Sequence, residues 1–336
     1  MDLLIDTYGT KIGTIGERIV LSFPKVKEKK EYPIHRLVKI VILRPAALTT
    51  HAVQLAIEHD VDIVYLGSFG KPIGRLFSSE PKGLASLRKA QLEASTSLER
   101  SFNIAKELVR GKCANQLDLL RYLAYRYKKD VGTELLQAQT LFDVLDNVPC
   151  SEKGKEQLLG TEGYIADKYF SGLKKFYRFP GRKPQGRDQF NSVLNYGYGI
   201  LYNEVERACL YVGLDPYLGL YHSERYGKPA LVLDLVEEFR VPIVDSVLFP
   251  LFIEKKLSQR KYFEKIAVGK YLLSAEGKSV VVGAIMKRLN ETTAWKGKQY
   301  TLKQIIDNQI RALARHFVEK EDKYIPFRAE KLFSIS

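Results

Sequence analysis

The stretch SEPKGLASLRKAQLEASTSLERSFNIAKEL, residues 79–108, decides the fold. It opens on the turn-forming cluster Ser79-Glu80-Pro81-Lys82-Gly83. It then places Leu87, Ala90, Ala94, Leu98, Ala105 and Leu108 at helical spacing along one long segment. After this boundary the apolar period is that of helices. Before it, residues 3–6, 11–14, 18–23 and 36–43 are rich in Val, Ile and Leu, and several are separated by glycines, as short strands are. A helix is expected over 49–58, a strand over 62–66, and a charged hairpin or loop over 24–31 (PKVKEKKE). The chain therefore reads as α+β: a small β-rich domain over 1–80 and a larger, mainly α-helical domain over 81–336. No internal repeat or low-complexity tract is present.

Charge follows the same division. The 336 residues carry 53 Lys+Arg and 39 Asp+Glu, a formal net charge of +14; residues 1–80 hold 11 and 9, the remainder 42 and 30. A basic helical domain joined to a near-neutral one points to a polyanionic partner, nucleic acid before membrane. The apolar run at 246–253 is far too short to span a bilayer. The start, MDLLIDTYGTK, has acids where a signal peptide needs a basic region and an apolar run. Cys113, Cys150 and Cys209 lie 37 and 59 residues apart, neither a disulfide framework nor a zinc spacing, which suits a cytoplasmic protein. Gly67-Ser68-Phe69-Gly70-Lys71 fails as a phosphate loop: the first glycine is missing and Pro72 stands where Ser or Thr would meet magnesium.

The segment 153–177 carries a carboxylate in the wrong place. At 100° per residue Leu158, Leu159, Ile165, Ala166, Tyr169, Phe170 and Leu173 form one apolar stripe, and Glu162 falls in the middle of it. An unpaired carboxylate in a core costs several kcal/mol or is neutralised, so a cation, a hydrogen-bond network or an opening to solvent must compensate. A second helix is expected over 229–240 (PALVLDLVEEFR), stopping before Pro242. Val232, Leu235, Val236 and Phe239 lie on one side; Asp234, Glu237 and Glu238 on the other make a solvated acidic face. His222 lies in the loop before it. A loop histidine is by itself ordinary, but one His with two carboxylates is a hard, oxygen-rich set suited to Mg²⁺ or Mn²⁺.

A third feature is 174–187 (KKFYRFPGRKPQGR), in which Lys174, Lys175, Arg178, Arg182, Lys183 and Arg187 occur with no acid and with Phe176, Tyr177 and Phe179 between them. Such a loop can pair with phosphates while its aromatics stack on unpaired bases. The alternative is a solvated basic loop whose aromatics are tucked into the core. In the long helix that follows, 188–212, Asn191, Asn195, Tyr198 and Tyr202 form a stripe beside the apolar one, suited to substrate contact or to buried helix–helix hydrogen bonding.

The order Leu159-Gly160-Thr161-Glu162-Gly163, Phe179-Pro180-Gly181-Arg182, Arg187-Asp188-Gln189-Phe190-Asn191, Leu201-Tyr202-Asn203-Glu204-Val205, Gly213-Leu214-Asp215-Pro216, Gly219-Leu220-Tyr221-His222 and Asp234-Leu235-Val236-Glu237-Glu238-Phe239-Arg240 resembles the CRISPR adaptation integrase family, CRISPR-associated protein 1. The resemblance implies a homodimer joined largely through the N-terminal halves and a helical catalytic domain. It implies Glu162, His222 and Glu237 as ligands of Mg²⁺ or Mn²⁺, with Asp234 a supporting carboxylate. It places the family's basic strip on Arg182, Lys183 and Arg187 and its helix aromatic on Tyr202. Ser223 follows the histidine where Gly is common. The implied activity is attack on a phosphodiester by a DNA 3′-hydroxyl, giving integration of short duplexes into a CRISPR array, or by water, giving endonuclease activity. The implied partners are double-stranded DNA and CRISPR-associated protein 2, which bridges two dimers. A structure-specific repair endonuclease and a non-catalytic nucleic-acid-binding module are the competing readings.

Overall fold

The computed structural model describes residues 2–24, 26–37, 39–66, 72–76, 84–221, 228–257, 260–319 and 323–334. The rejected phosphate loop at 67–71, the turn cluster at 79–83, and His222 with Ser223 lie outside the described residues. The chain forms two compact units, Met1–Leu84 and Ala85–Ser336.

The first unit contains β1 (Asp2–Ile5), β2 (Lys11–Ile15), β3 (Arg18–Ser22), β4 (Lys29–Pro33), β5 (Lys39–Ile42), β6 (Ala47–Leu48), α1 (Thr50–Glu58), β7 (Asp62–Leu66) and β8 (Pro72–Leu76). One sheet has the order β1-β5-β7-β8, parallel except for β8; the other is β4-β3-β2-β6. Strand β5 is buried along its whole length because it lies between β1 and β7. The core is Ile12, Ile19, Ile34, Ile40, Ile63 and the α1 alanines Ala52 and Ala56. Of the hairpin or loop expected over 24–31, the structure has the hairpin: its end is β4, paired antiparallel with β3, with Lys29, Lys30 and Glu31 exposed on a sheet edge where charge is tolerated. One boundary is corrected. The strand expected from Arg36 begins at Lys39, because 34–36 form a single 3₁₀ turn.

The second unit is mainly helical. It runs through α2 (Leu84–Thr96), α3 (Leu98–Tyr127), α4 (Gly132–Asp146), α5 (Glu152–Lys174), α6 (Gln189–Val212), α7 (Ala230–Leu235), α8 (Glu237–Phe239), a widened turn at Arg240–Asp245 and α9 (Ser246–Ile253). The hairpin β9 (Phe263–Ala267) and β10 (Lys270–Leu273), α10 (Ala275–Asn290), a second hairpin of β11 (Thr292–Trp295) and β12 (Lys298–Thr301), and α11 (Leu302–Phe317) complete it. No helix among the described residues is long and apolar enough to cross a membrane.

The long segment expected over 79–108 is two helices. Ser97 caps α3 by accepting the Arg100 N–H at 3.3 Å, which resets the helical phase and leaves Leu98 on the surface. Leu159, placed on the α5 core stripe by its angle, is likewise exposed. The α-helical stretch expected over 229–240 does end before Pro242, at Phe239, but the chain does not turn away there. Proline has no N–H to donate, and the chain widens into a π turn that carries it on into α9; the Pro242 carbonyl accepts from Ser246 Oγ and Arg288 Nε, each at 2.8 Å.

At the end of that widened turn Asp245 is wholly buried and accepts the hydroxyls of Tyr198 at 2.6 Å and Tyr169 at 3.0 Å. Burial outweighs these bonds and pushes its carboxyl up from the ordinary 3.8 to about 6. The folded chain thus holds a proton there that the unfolded chain has released. The resulting stabilisation is present at low pH and is lost as pH rises through 6. Relative to Asp245→Asn, the wild type should lose stability between pH 4 and pH 6.5 by on the order of 3 kcal/mol at most, measured by denaturant unfolding at both pH values.

Candidate active site

Glu162 sits mid-way along α5, held there because Leu158, Ile165 and Tyr169 of the same helix are buried. Glu237 begins α8, straight after α7 ends. Between the two carboxylates lies the ammonium of Lys112, from α3. It donates to Glu162 Oε1 and pairs with Glu237 Oε2 at 2.6 Å, and the three side chains are 13%, 5% and 10% exposed for Glu162, Glu237 and Lys112. Burial works to lower the Lys112 pKa, but the charges of Glu237 and Glu162 outweigh it and hold the amine above its ordinary value. Glu237 Oε1 also pairs with Arg240 Nη1 at 2.9 Å, and Arg240 Nη2 donates to the Tyr202 hydroxyl at 2.5 Å. The second oxygen of Glu162 accepts the Tyr221 hydroxyl at 2.9 Å.

The acidic face expected to be solvated is buried: Asp234, Glu237 and Glu238 are all under 5% exposed. Three separate sets of partners make this possible. Asp234 Oδ2 accepts the backbone N–H groups of Leu220 at 2.6 Å and Tyr221 at 3.1 Å, fixing the loop residue that meets Glu162. This loop must lie close to α7: a Cβ at Gly219 would stand 2.6 Å from that of Ala230. Glu238 turns away, accepting Tyr324 Oη at 2.5 Å, the Phe327 N–H at 2.5 Å and Gln309 Nε2 at 2.9 Å; burial still raises its carboxyl to about 7. Among the described residues no three His, Cys, Asp or Glu side chains cluster in the manner of a metal site.

Beside the Lys112–Glu237 pair opens a cavity of 440 Å³ lined by Gln116, Arg182, Asn195, Tyr198, Tyr202 and Arg240 among others. Arg182 and Arg240 both lie over the Tyr198 ring, 5.2 and 5.1 Å from its centroid. A larger groove of 1250 Å³ adjoins the basic loop and is lined by Lys183, Arg187, Lys270 and Lys278, with Asn195 bordering both spaces. Its walls are stapled together by Tyr271 N–H to Arg187 O at 2.6 Å and Ser192 Oγ to Tyr271 O at 2.8 Å.

The family model for CRISPR associated protein Cas1 matches residues 3–287. The chain belongs to the Cas1 family. It is 31% identical over 327 residues to a CRISPR-associated endonuclease Cas1 of Archaeoglobus fulgidus, covering 91% of this chain and 93% of that one. Among solved structures it resembles a casposase bound to its integration product, with TM-score 0.75, 26% identity and coverage of 96% and 97%. It also has the fold of a chain in a partial Cas6-RT-Cas1–Cas2 complex, with TM-score 0.74, 21% identity and 98% of each chain covered.

The structure divides the residues expected to meet DNA. Arg182 and Tyr202 line the cavity, and Lys183 and Arg187 the groove. Lys174 and Arg178 are exposed, while Lys175 pairs with Glu134 at 2.7 Å. Asn191 is corrected: it is wholly buried, its Oδ1 accepting Arg182 Nη1 and the Lys183 N–H and its Nδ2 donating to Gly181 O and Asp188, so it shapes the basic loop from beneath. The loop aromatics are corrected too. Phe179 stacks on Phe190 at 4.0 Å and Tyr177 packs on Phe252 at 5.1 Å, so these rings anchor the loop to the core instead of receiving bases.

Lys112, Arg240, Lys270 and Lys278 were not anticipated. For Lys112 the signal was present, since it shares a helical face with Ala105, Leu108 and Leu119, the same charge-on-an-apolar-stripe anomaly that singles out Glu162. If Asp234 is what holds the loop, Asp234→Ala should speed amide exchange at Leu220 and Tyr221 by at least about tenfold, while amides in the middle of α6 keep their protection. Unchanged exchange at those two amides would refute the clamp.

Proposed function

We propose that this chain is a metal-dependent DNA integrase and endonuclease of CRISPR adaptation, joining the 3′-hydroxyl ends of a short duplex to a phosphodiester of the CRISPR array. The observation that carries this reading is the convergence of two carboxylates, the half-buried Glu162 and the buried Glu237, on a single cation beside a cavity walled by arginines. Hard oxygen donors held 13% and 5% exposed around a positive charge suit Mg²⁺ or Mn²⁺. Glu162, Glu237 and His222 would be the ligands, His222 following Tyr221 in the chain. When bound, the metal ion polarises a phosphoryl oxygen and lowers the pKa of an attacking hydroxyl.

The chain's own groups do the rest. Asp234 and Tyr221 hold the loop against Glu162. Arg182 and Arg240 face the cavity as fixed positive charge where a phosphate and its leaving oxygen gain negative charge. The groove supplies the approach: none of the side chains of Lys183, Arg187, Lys270 and Lys278 has a carboxylate partner among the described residues. The acid that borders them, Asp188, is occupied in capping α6 through Asn191. Such cations contact phosphates irrespective of sequence. The reading takes its DNA partner, a homodimer and a bridging CRISPR-associated protein 2 from the family.

The direct test is strand transfer of a short duplex into a supercoiled plasmid bearing a leader and repeat, with Mn²⁺ or EDTA. Glu162→Gln and His222→Ala should lose joining by more than the roughly 10–100-fold that loss of an outer metal partner costs, with duplex binding retained. Cleavage without joining by the wild type would favour a repair nuclease. For the groove, Lys270→Glu with Lys278→Glu should lower the slope of log affinity against log salt by about 2, whereas reversing the surface charges Lys153 and Lys331 should not.

A further inference from the structure

Lys112 is a cation that the proposed metal site already contains. Its ammonium reaches Glu162 and Glu237 at once, as a bridging metal ion would, and it enters from a third helix that neither acid occupies. Two like carboxylates brought together in a nearly closed site repel each other strongly, so the unloaded protein needs a positive charge between them. Arg240 does not fill that role. It meets only Glu237 of the two acids, and its guanidinium is held from the far side by Tyr202 and over the Tyr198 ring. Lys112 differs in being an unbranched chain with a point charge at its end, able to swing without breaking a planar fork of bonds. There is room for it to do so, because it lines the 440 Å³ cavity next to Gln116 and Tyr202.

We propose that the Lys112 ammonium is the resident counter-cation of the Glu162–Glu237 pair, and that a divalent metal ion binds by displacing it into the adjoining cavity. This rests on the reading of the two glutamates as metal ligands. Loading is then an exchange of one cation for another, and the acid pair has a positive charge between its carboxylates in both states. Lys112 is a positioning residue: without metal it keeps the two carboxylates at the separation the ion will use.

The exchange predicts opposite effects on stability and on metal affinity. In EDTA, Lys112→Met should lower Tm by on the order of 10 °C, since Glu162 loses its cation and Glu237 is left with Arg240 alone, and Mn²⁺ should restore most of the loss. Mn²⁺ affinity, from calorimetry or from the EPR signal of the free ion, should rise at least about tenfold, because no competitor remains. Should Lys112→Met not fold, Lys112→Gln keeps a hydrogen-bond donor between the acids while removing the charge, and should show the same rise. Arg240→Gln removes an equal charge beside Glu237 without vacating the bridging position, and should raise Mn²⁺ affinity by clearly less than Lys112→Gln does. Equal tightening in Arg240→Gln and Lys112→Gln would reduce the effect to general charge and overturn the exchange. So would Lys112 variants that bind Mn²⁺ no better than wild type, or a Tm loss that Mn²⁺ does not restore. If the wild type binds no Mn²⁺ and joins no DNA, the metal reading itself falls and this inference with it. If it binds and joins normally, and only the variants behave otherwise than expected, the exchange alone is refuted.

Discussion

Three carboxylates within five residues, Asp234, Glu237 and Glu238, are buried together, and most of the second unit is arranged around their compensation. Each would cost several kcal/mol if left unpaired. Each is served by a different part of the chain. The loop ending at Tyr221 gives two backbone amides to Asp234. Helix α3 and Arg240 give cations to Glu237. Helix α11 and the segment after it give an amide, a phenol and a backbone N–H to Glu238. Asn115 of α3 completes the tie, donating to Glu238 O and Phe327 O and accepting the Ala329 N–H. The site is therefore positioned by long-range polar contacts made at one short stretch, with the apolar core packed around it.

This explains both what the sequence disclosed and what it did not. The α+β division, most of the strands and the long helices follow from apolar periodicity, which is local. The anomaly at Glu162 was also legible, because a charge at a buried angle of a helix demands a partner. The acids of 229–240 look solvated for a sound local reason, since they lie opposite an apolar stripe. That argument assumes one continuous helix with one buried side. The backbone in fact passes from α7 to α8 and then into a widened turn, and both sides are covered, one by the core and the other by α3, α11 and the C-terminal segment. Leu98 and Leu159 fail in a related way: a stripe angle says which residues share a face, not how far the neighbouring element extends along it. The partner of an out-of-place charge is equally invisible to local periodicity, as Lys112 and Glu162 are fifty residues apart.

Helix α6 links the two spaces that the proposed chemistry requires. Asn195 borders the basic groove and the arginine-lined cavity, and Tyr198 and Tyr202 follow along the same helix edge into the cavity. Tyr198 is fixed from beneath by Asp245, and its ring carries both Arg182 and Arg240. The aromatic edge of α6 thus holds cations in place and does not itself present a stacking platform. The same economy governs the basic loop, whose rings are spent on the core so that its cations can face outward at a defined height.

The cations of the site fall into two kinds, and chemistry assigns them different work. Arg182 and Arg240 are planar forks, each bound at several points: Arg182 to Asn191, Asn195 and the Lys183 carbonyl, Arg240 to Glu237 and Tyr202. Moving either would break several charge-assisted bonds together, so they form a standing positive wall. Lys112 has an unbranched stem and a single charged atom, held by the two carboxylates alone among the contacts that define the site. On the proposed reading, in which the site presents fixed charge to phosphate and exchanges the cation between its acids, both kinds of residue are needed. Arginine at 112 would bind the acid pair too rigidly to yield, and lysine at 240 would lose the fork that spans Glu237 and Tyr202.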